Sequence, residues 1–431
     1  MRRTILYRTG RTPMLLKISI GFLLGILFGF IAAPLIPYSP KLGNHVMPFL
    51  ELVGKIFLRL LSMIIIPLVF ASIVDGIASI GDTKTLGRLG LKTLALFFLT
   101  TLIAAGIGML CANVIKPGTG MNVADGIHSY STTPKPFRDM LLELIPSNPL
   151  ASMLNTNVIQ IIVFAIFTGI ACIFAGNTGK RVAGFFTKVS EIMQHVTYIV
   201  MQFAPFGVFA LIATASADFG LRLIAPFAKI IIAVYSGCAI HALVVYSLMI
   251  IIFCHKSPLW LFRGIHDAAI TAFVTRSSSV TLPITFDNVR ENLCVSDEIS
   301  SFILPLGATL NMDGTVIYHT VCAIFVAIAY GIPLTFELQV SIFSASVIAS
   351  IGTVGVPSAG LIMLTMVLTS AGLPVEGVGL VAGIDVVLCS ARTCLNVIGD
   401  GVACAVIASS EGEDLTRESS RDRMPVMNYG A

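Results

Sequence analysis

The chain has 431 residues, is 56% hydrophobic and only 12% charged, with a formal net charge of +4, and its mean hydropathy is 0.92. That balance excludes an ordinary soluble domain, which carries about twice the charge, and the small excess of basic residues gives no reason to expect nucleic acid as a partner. Several apolar runs exceed the ~20 residues that cross a bilayer as a helix, so the expected fold class is an all-α polytopic membrane protein. The nine cysteines form no C-x-x-C pair and mostly lie within apolar runs, where they read as buried small hydrophobes rather than disulfides or metal ligands.

In chain order, residues 1–14 hold Arg2, Arg3, Arg8 and Arg11 and read as a cytoplasmic N-terminus, because basic residues are held inside. The first apolar run, about Leu15 to Leu35, lacks a small-residue cleavage pattern and is expected to be a retained first span. A second span is expected from about Pro48 to Ile77, then an inside loop with Asp82, Lys84, Arg88 and Lys92, then a third span from about Leu94 to Ile115. Residues 116–146, polar with several Gly and Pro, read as an external loop. From Asn148 to Ala175 the interruptions at Asn155, Asn157 and Gln160 predict broken helices rather than one clean span. Lys180, Arg181 and Lys188 return the chain inside. A fifth span is expected from about Ile192 to Ala215, kinked by Pro205, and a sixth from about Ile224 to Phe253.

After Arg263 the pattern changes. The stretch Ile265 to Val289 is too polar for a plain span and centres on Thr275-Arg276-Ser277-Ser278-Ser279, with Pro283 beyond. It predicts a re-entrant hairpin with its tip at the serines, a form of backbone tolerated at membrane depth only against protein or water. A span from about Ile299 to Ala329 is broken at Asn311-Met312-Asp313-Gly314-Thr315, where Gly314 is expected to let the helix unwind and expose carbonyls. A second hairpin is expected over Leu338 to Leu368, with its tip at residues 350–357. Two interrupted segments in successive units point to inverted repeats around a mid-membrane site. The charged tail, residues 411–431, is expected to be disordered and cytoplasmic.

The last apolar segment, about Leu380 to Ile407, carries Asp385, Arg392 and Asp400. Each would cost roughly 2.5–3.5 kcal/mol at the centre of a lipid-facing helix. Cys389, Arg392, Thr393, Asn396 and Asp400 are linked by steps of three and four, so they share one helix face. That face must look at protein, water or a solute. A structural ion pair is the plainer alternative for Arg392, but Asp385 lies about two turns away, beyond direct reach along one helix.

TRSSSVTLP, LPLGATLNMDGT, SIGTVGVPSAG and RTCLNVIGD, together with PLVFASIVDGIASIGDTKTLGRLG near the second and third spans, resemble signature segments of the dicarboxylate/amino acid:cation symporters, the glutamate transporter family. The likeness runs from about residue 15 to 410. It implies eight spans, two opposed re-entrant hairpins, an elevator-type transporter and a homotrimer. The scaffold would comprise about 15–78 and 146–215. The transport unit would comprise about 88–115 and 223–410, with hairpins about 259–290 and 336–370.

The same resemblance implies roles for residues. Arg392 would bind the distal carboxylate of an acidic substrate, with Thr393, Asn396, Cys389, Arg276, Ser278, Ser279, Thr315, Val356 and Gly360 around it. Sodium ions would serve as coupling ions and no other cofactor is implied. One sodium site would use Asp400, Asn396 and the carbonyls of Gly307 and Asn311; a second the carbonyls of Thr309, Ser350, Ile351 and Thr353; a third Asp313, Asn311, Thr100 and Thr101. Hydroxyl, carbonyl and carboxylate oxygens suit a small hard cation.

The sequence departs from the family pattern in three places. Phe97 stands where a Tyr is often found at the third cation site. His319, one turn past Thr315, is a candidate proton carrier, since an imidazole titrates near neutral pH. Cys389 replaces an Asp that receives the substrate's ammonium in amino-acid transporters. Both arginines remain, so the pocket gains one positive charge. The expected function is therefore a sodium-coupled, or proton-coupled, symporter that favours a C4-dicarboxylate, with glutamate or aspartate as the alternative substrate. A bacterial inner membrane is the expected location. A channel is disfavoured because the polar groups cluster at one place rather than along a pore. An enzyme is disfavoured because no catalytic spacing is present, and an ATP-driven pump because no phosphate-binding loop is present.

Overall fold

The computed structural model describes residues 14–78, 84–121, 145–155, 158–219, 223–351, 353 and 359–416, and among them there is no strand. The helices, in order, are α1 Met14–Leu35, α2 Met47–Ala78, α3 Lys84–Ile115, α4 Pro149–Leu154, α5 Val158–Phe174, α6 Gly176–Met201, α7 Ala204–Phe219 and α8 Ile224–Ile240. They continue with α9 Ser247–Cys254, α10 Pro258–Gly264, α11 His266–Thr275, α12 Ser278–Asp287, α13 Asp297–Leu310, α14 Asp313–Ala329, α15 Phe336–Ile351, α16 Ala359–Ser370, α17 Gly377–Ala382 and α18 Asp385–Ser410. Every expected span is helical in this polytopic all-α membrane fold. Asp82, Asn157, residues 122–144, the tip residue Val356, and the ends 1–13 and 417–431 lie outside the described residues.

α14 sets the centre. Each residue from Asp313 to Ala327 is buried, as a helix that is enclosed on all sides must be. Around it pack α3, α8, α15, α16 and α18, and α18 in turn touches α9, α11 and α13. A second group forms where α1 packs on α7 and α2 on α5, α6 and α7. Outward faces are apolar: Leu23, Leu24, Leu27 and Ile31 on α1 are exposed, an arrangement expected of lipid-facing or subunit-facing surface.

The first expected hairpin is present; of the second, the arms α15 and α16 pack together, and residues 352 and 354–358 of its tip lie outside the described residues. In the first, α11 ends at Arg276, which is in the left-handed region (φ 56°), and Ser277 caps α12 by accepting from the Val280 N–H at 3.3 Å. A helix C-terminus and a helix N-terminus thus meet at the serine run. The broken seventh span loses helix only at Asn311 and Met312, and α13 and α14 continue as one 33-residue line, Asp297–Ala329. Gly314 does not unwind the chain: it lies inside α14, and a Cβ there would overlap the backbone of Arg392. Its smallness lets α14 and α18 touch.

Several sequence-based boundaries move. α3 begins ten residues before Leu94, so Arg88 and Lys92 belong to a helix rather than a loop. α6 begins at Gly176 and takes in Lys180, Arg181 and Lys188; apolar content alone cannot show an amphipathic helix that continues out of the membrane. It is bent by 52° against α7, and the break at Gln202–Phe203 closely precedes Pro205, which has no N–H for the preceding turn. α18 starts at Asp385, not Leu380, because α17 is a separate short helix. The start of the tail is fixed by contacts: Glu411 binds Arg88 at 2.5 Å and Lys92 at 2.6 Å, and Glu413 accepts from the Ser296 N–H at 3.1 Å.

Candidate functional site

The polar face of α18 is closed over by the other elements: Cys389, Arg392, Thr393, Asn396 and Asp400 are all buried. Arg392 donates from Nη2 to the Cys389 sulfur at 2.9 Å, and its guanidinium lies 5.0 Å from the centroid of the Tyr318 ring, within cation–π range. Its Nη1 is buried without a hydrogen-bond partner. Gly360, near the start of α16, abuts that Nη1, and a Cβ there would overlap it. The other arm of the pocket is the first hairpin tip. Cys389 Sγ lies 3.9 Å from the Arg276 carbonyl and 3.7 Å from Thr393 Oγ1. Arg276 is itself buried, with Nε lacking a partner. Cys389 thus touches both arginines, and each guanidinium keeps an unmet donor. Such donors are costly unless an anion receives them.

Asn396 and Thr315 join α18 to α14. The Gly314 N–H donates to Asn396 Oδ1 at 2.7 Å, and Asn396 Nδ2 donates to Thr315 Oγ1 at 3.1 Å and to Met312 Sδ at 3.0 Å. Asn396 is thus engaged by the helix break, while Asp400 takes its amide donor from Asn311, at 2.9 Å. Gly307 sits against Asp400, since a Cβ on it would overlap Oδ1. The first expected cation set therefore converges, with Asn396 one turn removed from it.

The second set is divided between α13 and α15, which pack together. Thr309 Oγ1 donates to the Leu306 carbonyl at 3.0 Å, Ser350 Oγ to the Val347 carbonyl at 2.7 Å and Thr353 Oγ1 to the Ala349 carbonyl at 2.9 Å. Ile351 closes α15. In the third set Asp313 Oδ1 accepts from Thr100 Oγ1 at 3.2 Å and Thr101 Oγ1 at 2.9 Å, while Asn311 gives its amide to Asp400. Among the described residues no three His, Cys, Asp or Glu side chains group as a transition-metal site. The oxygens gathered around Asp400 and Asp313 are hard donors.

Ser279 is not brought in. It is exposed, whereas Ser278, Thr281 and Thr285 are buried; on a helix, position 279 turns about 100° away from 278. Arg276, Ser278, Thr315 and Gly360 do reach the enclosed region. His319 is buried, with Nε2 3.0 Å from the Gly360 carbonyl.

Sequence reasoning missed three residues. Tyr318 supplies the ring under Arg392, and a tyrosine in an apolar helix gives no signal of such a contact. His241 and Tyr246 reach Asp313 Oδ2 at 3.2 and 2.8 Å. An ionisable residue in the middle of an apolar span was the available signal for His241.

The all-α fold thus encloses two buried guanidiniums, the first hairpin tip and two buried carboxylates with their hydroxyl and amide donors. The profile described as "Sodium:dicarboxylate symporter family" matches residues 14–410, and the chain belongs to that family. It is 36% identical over 406 residues to a "Proton/sodium-glutamate symport protein" of Geobacillus stearothermophilus, covering 92% of this chain and 94% of that one. It is 35% identical over 407 residues to a "Proton/glutamate-aspartate symporter" of Escherichia coli, covering 92% of each. It is 30% identical over 429 residues to the human "Excitatory amino acid transporter 3", covering 87% of this chain and 82% of that one.

Proposed function

We propose that this protein is a symporter of glutamate or aspartate, driven by sodium ions or protons across a bacterial inner membrane, with both termini cytoplasmic. The observation that carries it is Arg392: a buried guanidinium whose Nη1 has no partner and abuts Gly360, ready for a substrate carboxylate. The relatives named for glutamate and aspartate put acidic amino acids ahead of the C4-dicarboxylate that the sequence alone favours. The ammonium then needs an acceptor other than the missing Asp. The Arg276 carbonyl, at the C-terminal end of α11 and beside Cys389, carries the negative end of a helix dipole and suits that role. Cys389 still favours a second reading, in which a dianion without an amine, such as succinate, fumarate or malate, is carried.

The packing supports a division of labour. The α1, α2, α5, α6 and α7 group would be the scaffold of a homotrimer, and the group around α14 and α18 the unit that moves as an elevator. Asp400 with Asn311 and Gly307, and Asp313 with Thr100 and Thr101, would hold sodium ions. The set of Thr309, Ser350, Ile351 and Thr353 would hold another. His319 would carry a proton, its link to Gly360 joining the proton to the substrate pocket.

The test is uptake of labelled aspartate into proteoliposomes under a sodium gradient, a pH gradient, both or neither, with unlabelled glutamate, succinate, fumarate and malate as competitors. The proposal expects saturable, gradient-driven uptake blocked best by glutamate, and loss of the pH-driven component in His319→Gln. Stronger block by succinate would select the dicarboxylate reading, and gradient-independent flux that does not saturate would contradict both.

A further inference from the structure

Asp313 is held from four directions, and its two oxygens are treated differently. Oδ1 accepts from Thr100 and Thr101, the α3 hydroxyls. Oδ2 accepts from His241 Nε2 at 3.2 Å and Tyr246 O–H at 2.8 Å. All five side chains are buried. His241 and Tyr246 open and close a π-helical turn between α8 and α9. Five residues apart, they would diverge by about 140° on a regular helix; the wider turn, with its i→i+5 hydrogen bonds, narrows that divergence, and both reach Asp313 on α14. Their rings meet edge to face, with centroids 4.7 Å apart at 82°, which fixes each against the other.

One of the hydroxyls on Oδ1 can change roles. Thr100 Oγ1 also lies 3.1 Å from the Phe97 carbonyl. Its single proton has a second acceptor, so its lone pairs can turn toward a cation at Oδ1. The groups on Oδ2 are different. They approach a carboxylate as N–H and O–H donors, and they meet the oxygen that the threonines leave alone. Phe97 has no hydroxyl of its own, and Tyr246 brings one to Asp313 from another span.

We propose that His241 and Tyr246 are positioning residues for a coupling cation at Asp313. They pin Oδ2, so that Oδ1, Thr100 and Thr101 present one preformed set of oxygens. This rests on the reading of Asp313 as a cation ligand.

The test measures aspartate uptake by the reconstituted full-length protein as a function of sodium concentration, in the wild type and in His241→Val, His241→Gln, Tyr246→Phe and Asp313→Asn. Loss of one donor is expected to raise the sodium concentration for half-maximal uptake by about three- to tenfold in His241→Val and Tyr246→Phe. The KM for aspartate at saturating sodium should change little. His241→Gln, which keeps an N–H donor, should recover most of the sodium affinity. A fall in maximal rate at every sodium concentration, with the half-maximal point unmoved, would overturn the proposal, as would a Gln variant no better than Val. Should the Val variant fail to fold, Tyr246→Phe and the Gln variant still decide. An unshifted sodium dependence in Asp313→Asn would remove the underlying ligand reading. A shift there with none in the clamp variants would remove only the clamp.

Discussion

Arg392 donates to a sulfur where a carboxylate would ordinarily be expected. Cys389 is a weak acceptor and leaves the guanidinium's charge unpaired by any carboxylate, with the Tyr318 ring against it. The same substitution removes the anion that would hold an ammonium. Cys389→Asp should therefore shift preference toward amino acids and away from dianions. The competition ratio of aspartate to succinate is the readout, and an increase of about tenfold corresponds to roughly 1.4 kcal/mol. A ratio that moves toward succinate would show that Cys389 does not face the amine. That Arg392 is enclosed was legible in the sequence, because a charge inside an apolar helix needs a partner or a solute. Tyr318 and Tyr246 were not legible, because a tyrosine is at home in such a helix whether or not it touches a charge. Ser279 was over-read: a run of three serines gives composition, while only the helix phase says which one faces inward.

At the scale of elements, α18 ends in a clasp that a reading by hydropathy discards as tail. Glu411 takes Arg88 and Lys92 from α3, and Ser409 Oγ donates to the Phe253 carbonyl of α9 at 2.7 Å. The hydrogen bond from Lys92 leads the causes that lower the Glu411 pKa from its usual 4.5, with the charges of Lys92 and Arg88 adding to it. A carboxyl whose pKa is depressed on folding adds stability above its unfolded pKa and loses it as pH falls through the folded value. Thermal unfolding in detergent should thus show a contribution that is complete at neutral pH and fades below about pH 4.5, worth about 1 kcal/mol or less for a partly exposed cluster. Glu411→Gln should lower the neutral-pH midpoint slightly and flatten the acid slope. An unchanged acid slope would mean that the clasp does not titrate. The clasp was invisible because α3 starts earlier than apolar content indicates, and such content says nothing of the contacts that the start of the tail makes. The hairpins were visible because polar residues in the middle of an apolar stretch are tolerated at membrane depth only where protein or water receives them.

In the whole molecule the apolar stretches become helices, four of them among the described residues long and apolar enough to cross a bilayer unbent, and the polar interruptions converge on α14 and α18. The order of elements followed from hydropathy and from the positions of Pro, Gly and Ser. Which side chains meet Asp400 and which meet Asp313 followed only from three-dimensional packing, since Asn311 turns to Asp400 while Asp313 turns to α3 and to the π-helical turn after α8. The substrate's identity is the least legible property, because one side chain, Cys389, separates the two readings. What both readings share is a carboxylate received by Arg392. The most direct measurement is gradient-driven uptake of labelled aspartate and labelled succinate by wild type and Arg392→Ala in proteoliposomes. Two charge-assisted hydrogen bonds of about 1.5–3 kcal/mol each make binding weaker by on the order of a hundredfold or more. Accumulation of both acids should fall to the level of empty liposomes in the variant. Accumulation of either acid by Arg392→Ala at the wild-type rate would contradict the account.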